Sequence, residues 1–335
     1  MDLSRRRLLT WAGAGLGGYS VAEVVESVLL GYGPVVGTNL TEQAEDGSLA
    51  ALTAERFGAR DRYTVSLDGV TLRVDGGERL AVDAGDMRVR RSLSELDPGT
   101  AGALDERFGL EAEPITQLAR DLPAIARGEL AFSFRSPDRF WERLDAATTR
   151  PFSVGAVRGP FYPTPDPGTV EALAGVDPAR PAALAERLAE AFRRRTNYDV
   201  PRYLAGAIYF NLLFGTVDVR AFFRSDVSMS AIAEDGGELF CWEYTRRSIE
   251  AFHAVPAHRQ HRPVVGAEVH DTRHRHVYTA LASLVRENGR LVAVLTFLDY
   301  MHATLYDDFS LRGVLGDGLD AFGDRHRATD VYWGH

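Results

Sequence analysis

Residues 276–301, which read HVYTALASLVRENGRLVAVLTFLDYM, decide the fold predicted for the C-terminal part of the chain. Two apolar runs, Val277–Arg286 and Leu291–Met301, flank the dipeptide Asn288-Gly289. An Asn-Gly pair between two such runs is a strong signal of a β-hairpin, because both turn residues tolerate a positive φ. We therefore predict an antiparallel hairpin here, with Val264–His270 as a third strand beside it.

The two-residue turn fixes which residues of the hairpin face each other. It pairs Glu287 with Arg290, and counting away from that pair places Tyr278 opposite Asp299. His276 then lies diagonally beside Asp299 on the same face of the hairpin. A slip of one residue would move these side chains to the opposite face.

The rest of the chain predicts an α+β fold. Tyr63–Asp83 reads as a small N-terminal β-meander with a turn at Asp68-Gly69, and residues 93–195 have the helical period, as in the apolar stripe from Ile115 to Ala126. Tyr203–Phe214 is almost entirely apolar and predicts a buried helix. Because helices follow helices and strands follow strands, a helical middle segment with a C-terminal antiparallel β-sheet is favoured over a doubly wound parallel sheet.

Prolines are concentrated between residues 151 and 167, which indicates a domain boundary or a long loop. We therefore divide the chain after the N-terminal segment into two parts. Residues 37–165 contain the small β-meander and the helical region, and residues 166–335 contain the buried helix and the antiparallel sheet. The alternative is that the second part forms one continuous domain with the first.

The only cysteine, Cys241, rules out an intrachain disulfide and an all-cysteine zinc site. The segment Phe240-Cys241-Trp242-Glu243-Tyr244 is interpreted as a strand whose aromatic side chains share one face, following a hairpin turn at Asp235-Gly236-Gly237. We expect Cys241 to be a buried, unreactive thiol, because no activating base and no papain-like local sequence accompany it.

The N-terminus has the order of an export signal. Ser4-Arg5-Arg6-Arg7-Leu8-Leu9-Thr10 is cationic and then apolar, a glycine-rich stretch follows, and Ser20-Val21-Ala22 offers small residues for cleavage before Glu23. Residues 1–22 resemble a twin-arginine (Tat) signal, with Ser4-Arg5-Arg6 as its core.

The resemblance implies that the Tat translocation machinery exports the protein in its folded state. We therefore expect an extracytoplasmic protein that is either secreted or anchored at its N-terminus. Glu23–Leu30 continues in a helical pattern, so an uncleaved signal that serves as an anchor to about residue 36 is the alternative to cleavage. We expect contact with a membrane only through such an anchor.

Composition limits the function classes. The chain has 335 residues, 45% of them hydrophobic, and a formal net charge of −9. All 38 of its basic residues are arginine, which indicates a GC-rich genome or adaptation to salt. The acidic balance argues against binding of nucleic acid, whose phosphates attract cationic surfaces. No glycine-rich phosphate loop follows a predicted strand, so we expect no nucleotide cofactor.

All nine histidines lie between residues 253 and 335, and the predicted sheet gathers several of them at the end opposite the Asn288-Gly289 turn. The pattern predicts a divalent-metal site of the zinc type, because imidazole and carboxylate are the ligands that such ions take. Its proposed ligands are His274, His276 and Asp299, with His270 and His302 as further candidates.

Two other interpretations of the same residues stay open. In one, Asp299 orients His276 as a general base, with Tyr278 beside them as a third candidate catalytic residue. In the other, these polar groups only satisfy one another's hydrogen bonds at a strand end.

Three function classes follow. The first is an exported protein with a divalent-metal, hydrolase-like site at His274, His276 and Asp299. The second is a non-catalytic envelope or extracellular protein that binds a partner through aromatic strands, such as the one carrying Trp242 and Tyr244. The third is an enzyme whose site lies elsewhere, in a cleft between the helical and β-rich parts. Metal analysis of the purified protein separates the first from the other two.

Overall fold

The structure is a computed structural model that describes residues 40–159, 164–199, 202, 227–272, 276–305 and 327–334. The predicted Tat-like signal, its possible extension as an anchor and the predicted helix Tyr203–Phe214 lie outside these residues. Within them, helices and β-sheets are both prominent, so the predicted α+β class is confirmed. No helix of the described residues combines the length and apolar character that crossing a membrane requires.

The elements follow one another in a mixed order along the chain. The first half contains α1 (Leu40–Glu45), α2 (Ser48–Glu55), β1 (Arg62–Leu67), β2 (Val70–Asp75), β3 (Arg79–Ala84), β4 (Met87–Ser92), α3 (Pro98–Arg107), α4 (Pro114–Ala126), β5 (Leu130–Phe134), α5 (Pro137–Ala146), β6 (Thr148–Thr149) and α6 (Pro151–Val157). The second half contains α7 (Pro167–Ala174), α8 (Pro181–Arg195), β7 (Thr196–Tyr198), α9 (Met229–Glu234), β8 (Gly237–Leu239), α10 (Cys241–His253), β9 (Val265–Asp271), β10 (His276–Glu287), β11 (Arg290–Leu298), α11 (Tyr300–Leu305) and β12 (Asp330–Tyr332).

The N-terminal strands β1 to β4 form an antiparallel meander in sequence order. The turn between β1 and β2 uses Asp68 and Gly69, with φ values of 45° and 85°, as expected for a two-residue hairpin turn. Alternate residues such as Val65, Leu72 and Val82 are buried, so one face of the meander packs against the rest of the protein and the other faces solvent.

The main sheet has the strand order β12-β9-β10-β11-β5, and β6 pairs with β10. The β10–β11 hairpin has the predicted register, from Glu287 opposite Arg290 to Thr279 opposite Leu298. Its turn residues Asn288 and Gly289 both have positive φ, 50° and 81°. The sheet contains strands from both sides of residue 165, because β5 and β6 precede that residue and the other strands follow it.

Strand β5 lies inside the segment predicted to be helical. It pairs in parallel with β11, with Leu130 opposite Leu291 and Phe134 opposite Leu295. A five-residue apolar run of this kind has no period that distinguishes a strand from a short piece of helix. Only the distant partner strand identifies it.

The interpretation of Phe240–Tyr244 as a strand is wrong, and so is the hairpin turn at Asp235–Gly237. Cys241 begins the helix α10, and β8 pairs in parallel with β7 instead of turning back on a neighbouring strand. The aromatic alternation that indicated a strand covers only five residues, too few to establish a period. As a result, Tyr244 is buried while Trp242 is half-buried and stacks under the guanidinium of Arg246, so these aromatic side chains share no single face.

A buried ionic cluster joins the helical part to the main sheet. Both carboxylate oxygens of Asp121 in α4 are occupied: Arg150 Nε lies 2.7 Å from Oδ2, and Arg286 Nε of β10 lies 2.8 Å from Oδ1. Ser153 of α6 donates a further hydrogen bond of 2.6 Å to Oδ2. Three elements distant in sequence are therefore held by one carboxylate.

A second buried cluster closes the C-terminus of α10. Arg158 donates to the carbonyls of Val255 and Val264 at 2.7 and 2.6 Å, where a cation complements the helix dipole. His253 accepts a 2.9 Å hydrogen bond at Nε2 from the backbone N–H of Gly266. Burial, and then the charges of Arg158 and Arg60, lower the pKa of His253 well below its usual value. The imidazole is therefore neutral in the folded protein.

Candidate functional site

Helix α10 runs along β10, and three contacts define its direction. Thr245 Oγ1 lies 3.1 Å from the carbonyl oxygen of Val277, and Ser248 Oγ lies 2.6 Å from Thr279 Oγ1. Ile249, further along the helix, lies against Gly266 of β9. Because Cys241 precedes Thr245 by one helical turn, these contacts place it at the end of the sheet where β10 begins.

His276 and Asp299 meet at that same end. His276 is the first residue of β10, and Asp299 directly follows the last residue of β11. The Nε2 atom of His276 lies 2.8 Å from Oδ2 of Asp299, and each residue is only 1% exposed. The register predicted from the sequence places these two side chains on the same face of the hairpin. In the structure they form a hydrogen bond.

The thiol of Cys241 contacts the same imidazole. Burial by itself lowers the pKa of His276, but the charge and hydrogen bond of Asp299, together with those of Cys241, raise it to about 10. The ring therefore carries a proton on both nitrogens at neutral pH. Nε2 is the ring nitrogen that Asp299 holds.

Cys241 occupies the first position of α10, where the backbone N–H groups have no partner within the helix. The positive end of the helix dipole therefore lies at the sulfur. Cys241 is 4% exposed, so its predicted burial is confirmed. We expected an unreactive thiol because the sequence shows no base beside it; the structure places the imidazole of His276 against this thiol.

The first turn of α10 is held in place by a network of its own. Glu243 Oε2 accepts a 2.7 Å hydrogen bond from the backbone N–H of Phe240, which caps the helix. The other carboxylate oxygen of Glu243 lies 2.5 Å from Nη1 of Arg202, whose backbone N–H donates to Asp199 Oδ1 at 2.9 Å. This network fixes the backbone on both sides of Cys241.

Tyr278 lies beside the imidazole. Its ring stacks on that of His276 with 5.9 Å between centroids and 22° between planes, and Phe297 packs against its edge. Burial, followed by the charges of Asp271 and Asp299, raises the pKa of Tyr278 well above its usual value. The phenol therefore stays protonated, and its ring forms one wall of the site.

The other predicted metal ligands have different positions. His270 pairs with Glu268, with 3.3 Å between Nε2 and Oε2. His274 and the side chain of His302 lie outside the described residues. Among the residues that are described, no group of three or more His, Cys, Asp or Glu side chains is arranged to hold a metal ion. The zinc-type site stays a prediction, since two of its five proposed ligands are not covered.

Sequence reasoning missed the position of Cys241 relative to His276. Two signals in the chain could have indicated it. Glu243 is three residues after Phe240, which is the spacing of a helix-capping carboxylate, and a lone cysteine in a chain that also carries histidine and aspartate is a candidate nucleophile. Neither signal shows which histidine lies nearby, because that depends on how α10 packs on the sheet.

Comparison with protein-family models, with curated proteins and with solved structures finds no match to this chain.

Proposed function

We propose that the protein is an acyl-transfer enzyme whose nucleophile is the thiol of Cys241. The observation that carries this proposal is that one buried imidazole, that of His276, is hydrogen-bonded to Asp299 and also contacts Cys241 at the start of a helix. A nucleophile, a base and a group that orients the base are the three parts that covalent acyl transfer requires.

The surroundings of the sulfur are those of a reactive cysteine. A neighbouring imidazolium and a helix N-terminus are both environments that stabilise a thiolate, which is the reactive form of cysteine. Asp299 contributes by stabilising the imidazolium and fixing the orientation of the ring. We infer that the thiolate of Cys241 is the attacking species and that the imidazolium of His276 is its partner in the reaction.

In the proposed reaction the sulfur of Cys241 attacks an acyl carbonyl and forms a carbon–sulfur bond. The imidazolium of His276 gives its Nδ1 proton to the leaving amine or alkoxide as the carbon–nitrogen or carbon–oxygen bond breaks. Water or a second amine then attacks the thioester and loses its proton to Nδ1, and the thiolate leaves. We assign the backbone N–H groups at the start of α10 as the donors for the negative oxygen formed in both steps.

The reactivity of the thiol tests this proposal. Cys241 is the only cysteine, so alkylation by iodoacetamide, followed by the mass of the intact protein and compared with Cys241→Ala, reports one group. We expect faster alkylation of the wild type than of His276→Gln at the same pH, because the variant lacks the imidazole beside the sulfur. Equal rates for the two proteins would contradict the proposal.

A covalent adduct provides the second test. An activated acyl ester should leave its acyl group on Cys241 in the wild type, detected by the mass of the intact protein. Asp299→Asn should retain the adduct but form it more slowly, because the histidine loses the group that orients it. Cys241→Ala, which has no nucleophile at this position, serves as the control for acylation of other side chains.

The divalent-metal hydrolase remains the alternative, because His276 and Asp299 are also two of the predicted zinc ligands. Metal analysis of the purified protein distinguishes the two proposals. A bound metal that is lost in His276→Gln and His274→Gln would favour the metalloenzyme. We further propose, from the N-terminal resemblance alone, that the enzyme acts outside the cytoplasm after export by the Tat machinery.

A further inference from the structure

The outer face of the N-terminal meander carries an unusual set of charges. The strand register aligns the outward-facing residues in three rows across β1 to β4. These rows contain five arginines and two aspartates, namely Arg62, Asp75 and Arg79 in the first, Arg73 and Arg90 in the second, and Asp83 and Arg88 in the third. The face is therefore cationic in a chain whose formal net charge is −9.

Two of the arginines are neutralised within the face, since Arg62 pairs with Asp75 and Arg88 pairs with Asp83. Arg73, Arg79 and Arg90 are exposed and take part in no ion pair within the described residues. Cationic side chains held this close together on a rigid sheet repel one another, and an anionic partner relieves that repulsion.

Strand β4 is also the edge of this sheet. Among the described strands it pairs only with β3, so its second row of backbone N–H and C=O groups can pair with another strand once the Arg91 side chain releases the carbonyl of Arg90. On the inner side of β4, Met87 is 40% exposed and is the one large apolar side chain of the described residues with such exposure. Val89 lies beside it and is half-buried.

We propose that β4 binds an extended acidic peptide segment of a partner protein, which adds to the meander as a fifth strand. Such strand addition draws its affinity from main-chain hydrogen bonds and its specificity from alternate side chains. An outward-facing Asp or Glu residue of the segment would pair with Arg90, and the alternate apolar residues would cover Met87 and Val89. The partner is therefore a segment in which acidic and apolar residues alternate.

The charges argue against a second copy of this chain as the occupant. Two β4 strands that paired edge to edge would bring arginines from both copies together on one face, and like charges opposite each other destabilise a sheet. The sequence MRVRRS of β4 therefore disfavours self-association and favours an acidic partner.

The experiment uses the full chain and two labelled synthetic peptides of alternating Asp and Val, one of them N-methylated at every second backbone nitrogen. Fluorescence anisotropy measures their binding at low ionic strength. We expect the unmodified peptide to bind, and N-methylation to weaken binding at least about tenfold because it removes strand hydrogen bonds. The double variant Arg73→Glu/Arg90→Glu should also lose at least about tenfold, since each reversal replaces an attraction by a repulsion.

The matched control is Arg187→Glu/Arg194→Glu, which reverses two exposed arginines on α8 and should leave binding unchanged. Circular dichroism verifies the fold of each variant. Equal binding of both peptides would overturn strand addition. Binding by Arg73→Glu/Arg90→Glu that equals binding by the wild type would overturn the cationic face as the site. Binding to phosphatidylglycerol vesicles or single-stranded DNA that requires Arg73 and Arg90, without binding of either peptide, would also overturn the proposal.

Discussion

Ile249 of α10 lies 2.9 Å from the position that a Cβ atom on Gly266 would occupy. A glycine in β9 therefore allows the helix to lie closer to the sheet than any other residue would. This approach also sets the position of the helix N-terminus, where Cys241 contacts His276. The packing of the core and the geometry of the candidate site depend on the same contact.

Replacing that glycine is the first prediction. Gly266→Ala should lower the free energy of unfolding by about 1–3 kcal/mol, because the added methyl overpacks the space under Ile249. It should also slow the alkylation of Cys241 by iodoacetamide, because α10 shifts on the sheet. Gly102→Ala in α3 is the control, since its Cβ would meet no atom closer than 3.9 Å. Denaturant unfolding gives the free energy of unfolding of both variants. A value for Gly266→Ala equal to that of the wild type would show that α10 can shift without loss of packing.

The second prediction concerns the stability contributed by His276. Its pKa is raised from 6.5 to about 10 in the folded protein, so the stabilisation is fully present below pH 6.5 and is lost as the pH rises toward 10. The difference in unfolding free energy between the wild type and His276→Gln should therefore shrink over this range. Urea unfolding at a series of pH values measures it. A difference that grows with pH would contradict the predicted interaction with Asp299.

His253 predicts the opposite pH dependence. Its pKa is lowered in the folded protein, so the unfolded chain takes up a proton below about pH 6.5 that the folded protein does not bind. The wild type should lose stability relative to His253→Gln as the pH falls below that value. Glutamine can accept the hydrogen bond of Gly266 with its amide oxygen, which makes it the suitable reference. Parallel thermal melts at neutral and mildly acidic pH compare the two proteins.

The buried carboxylate of Asp121 predicts a large loss of stability. Asp121→Asn leaves Arg150 and Arg286 without their shared counterion and should destabilise the protein by about 3–5 kcal/mol. Glu129→Gln removes an exposed partner of Arg127 and should have no measurable effect. Chemical denaturation of both variants checks the contrast. A small effect of Asp121→Asn would show that water can replace the carboxylate.

The parts of the fold that could be predicted from sequence are those with local signals. Asn288-Gly289 specified the hairpin and its register, and that register brought His276 to the face of Asp299. Strand β5 could not be predicted, because it is identified only by its pairing with β11.

The sequence predicts only the part of the candidate site that has local signals. His276 begins β10, Asp299 directly follows β11, and a short turn joins these two strands. The register counted from that turn therefore places the two residues side by side. Cys241 reaches them through the packing of α10 on the sheet, which depends on small residues such as Gly266 in β9. The short alternation of aromatic residues around Cys241 is typical of a strand. The start of α10 at this residue was therefore not predicted from the sequence.

The parallel pairing of Leu130 with Leu291 has a consequence for synthesis of the protein. While the chain is still emerging from the ribosome, β5 lacks this partner until β11 has also been made. Prematurely terminated chains that end before His276 would carry the thiol without its imidazole. The chemistry proposed for Cys241 is thereby postponed until β10 and β11 have been translated.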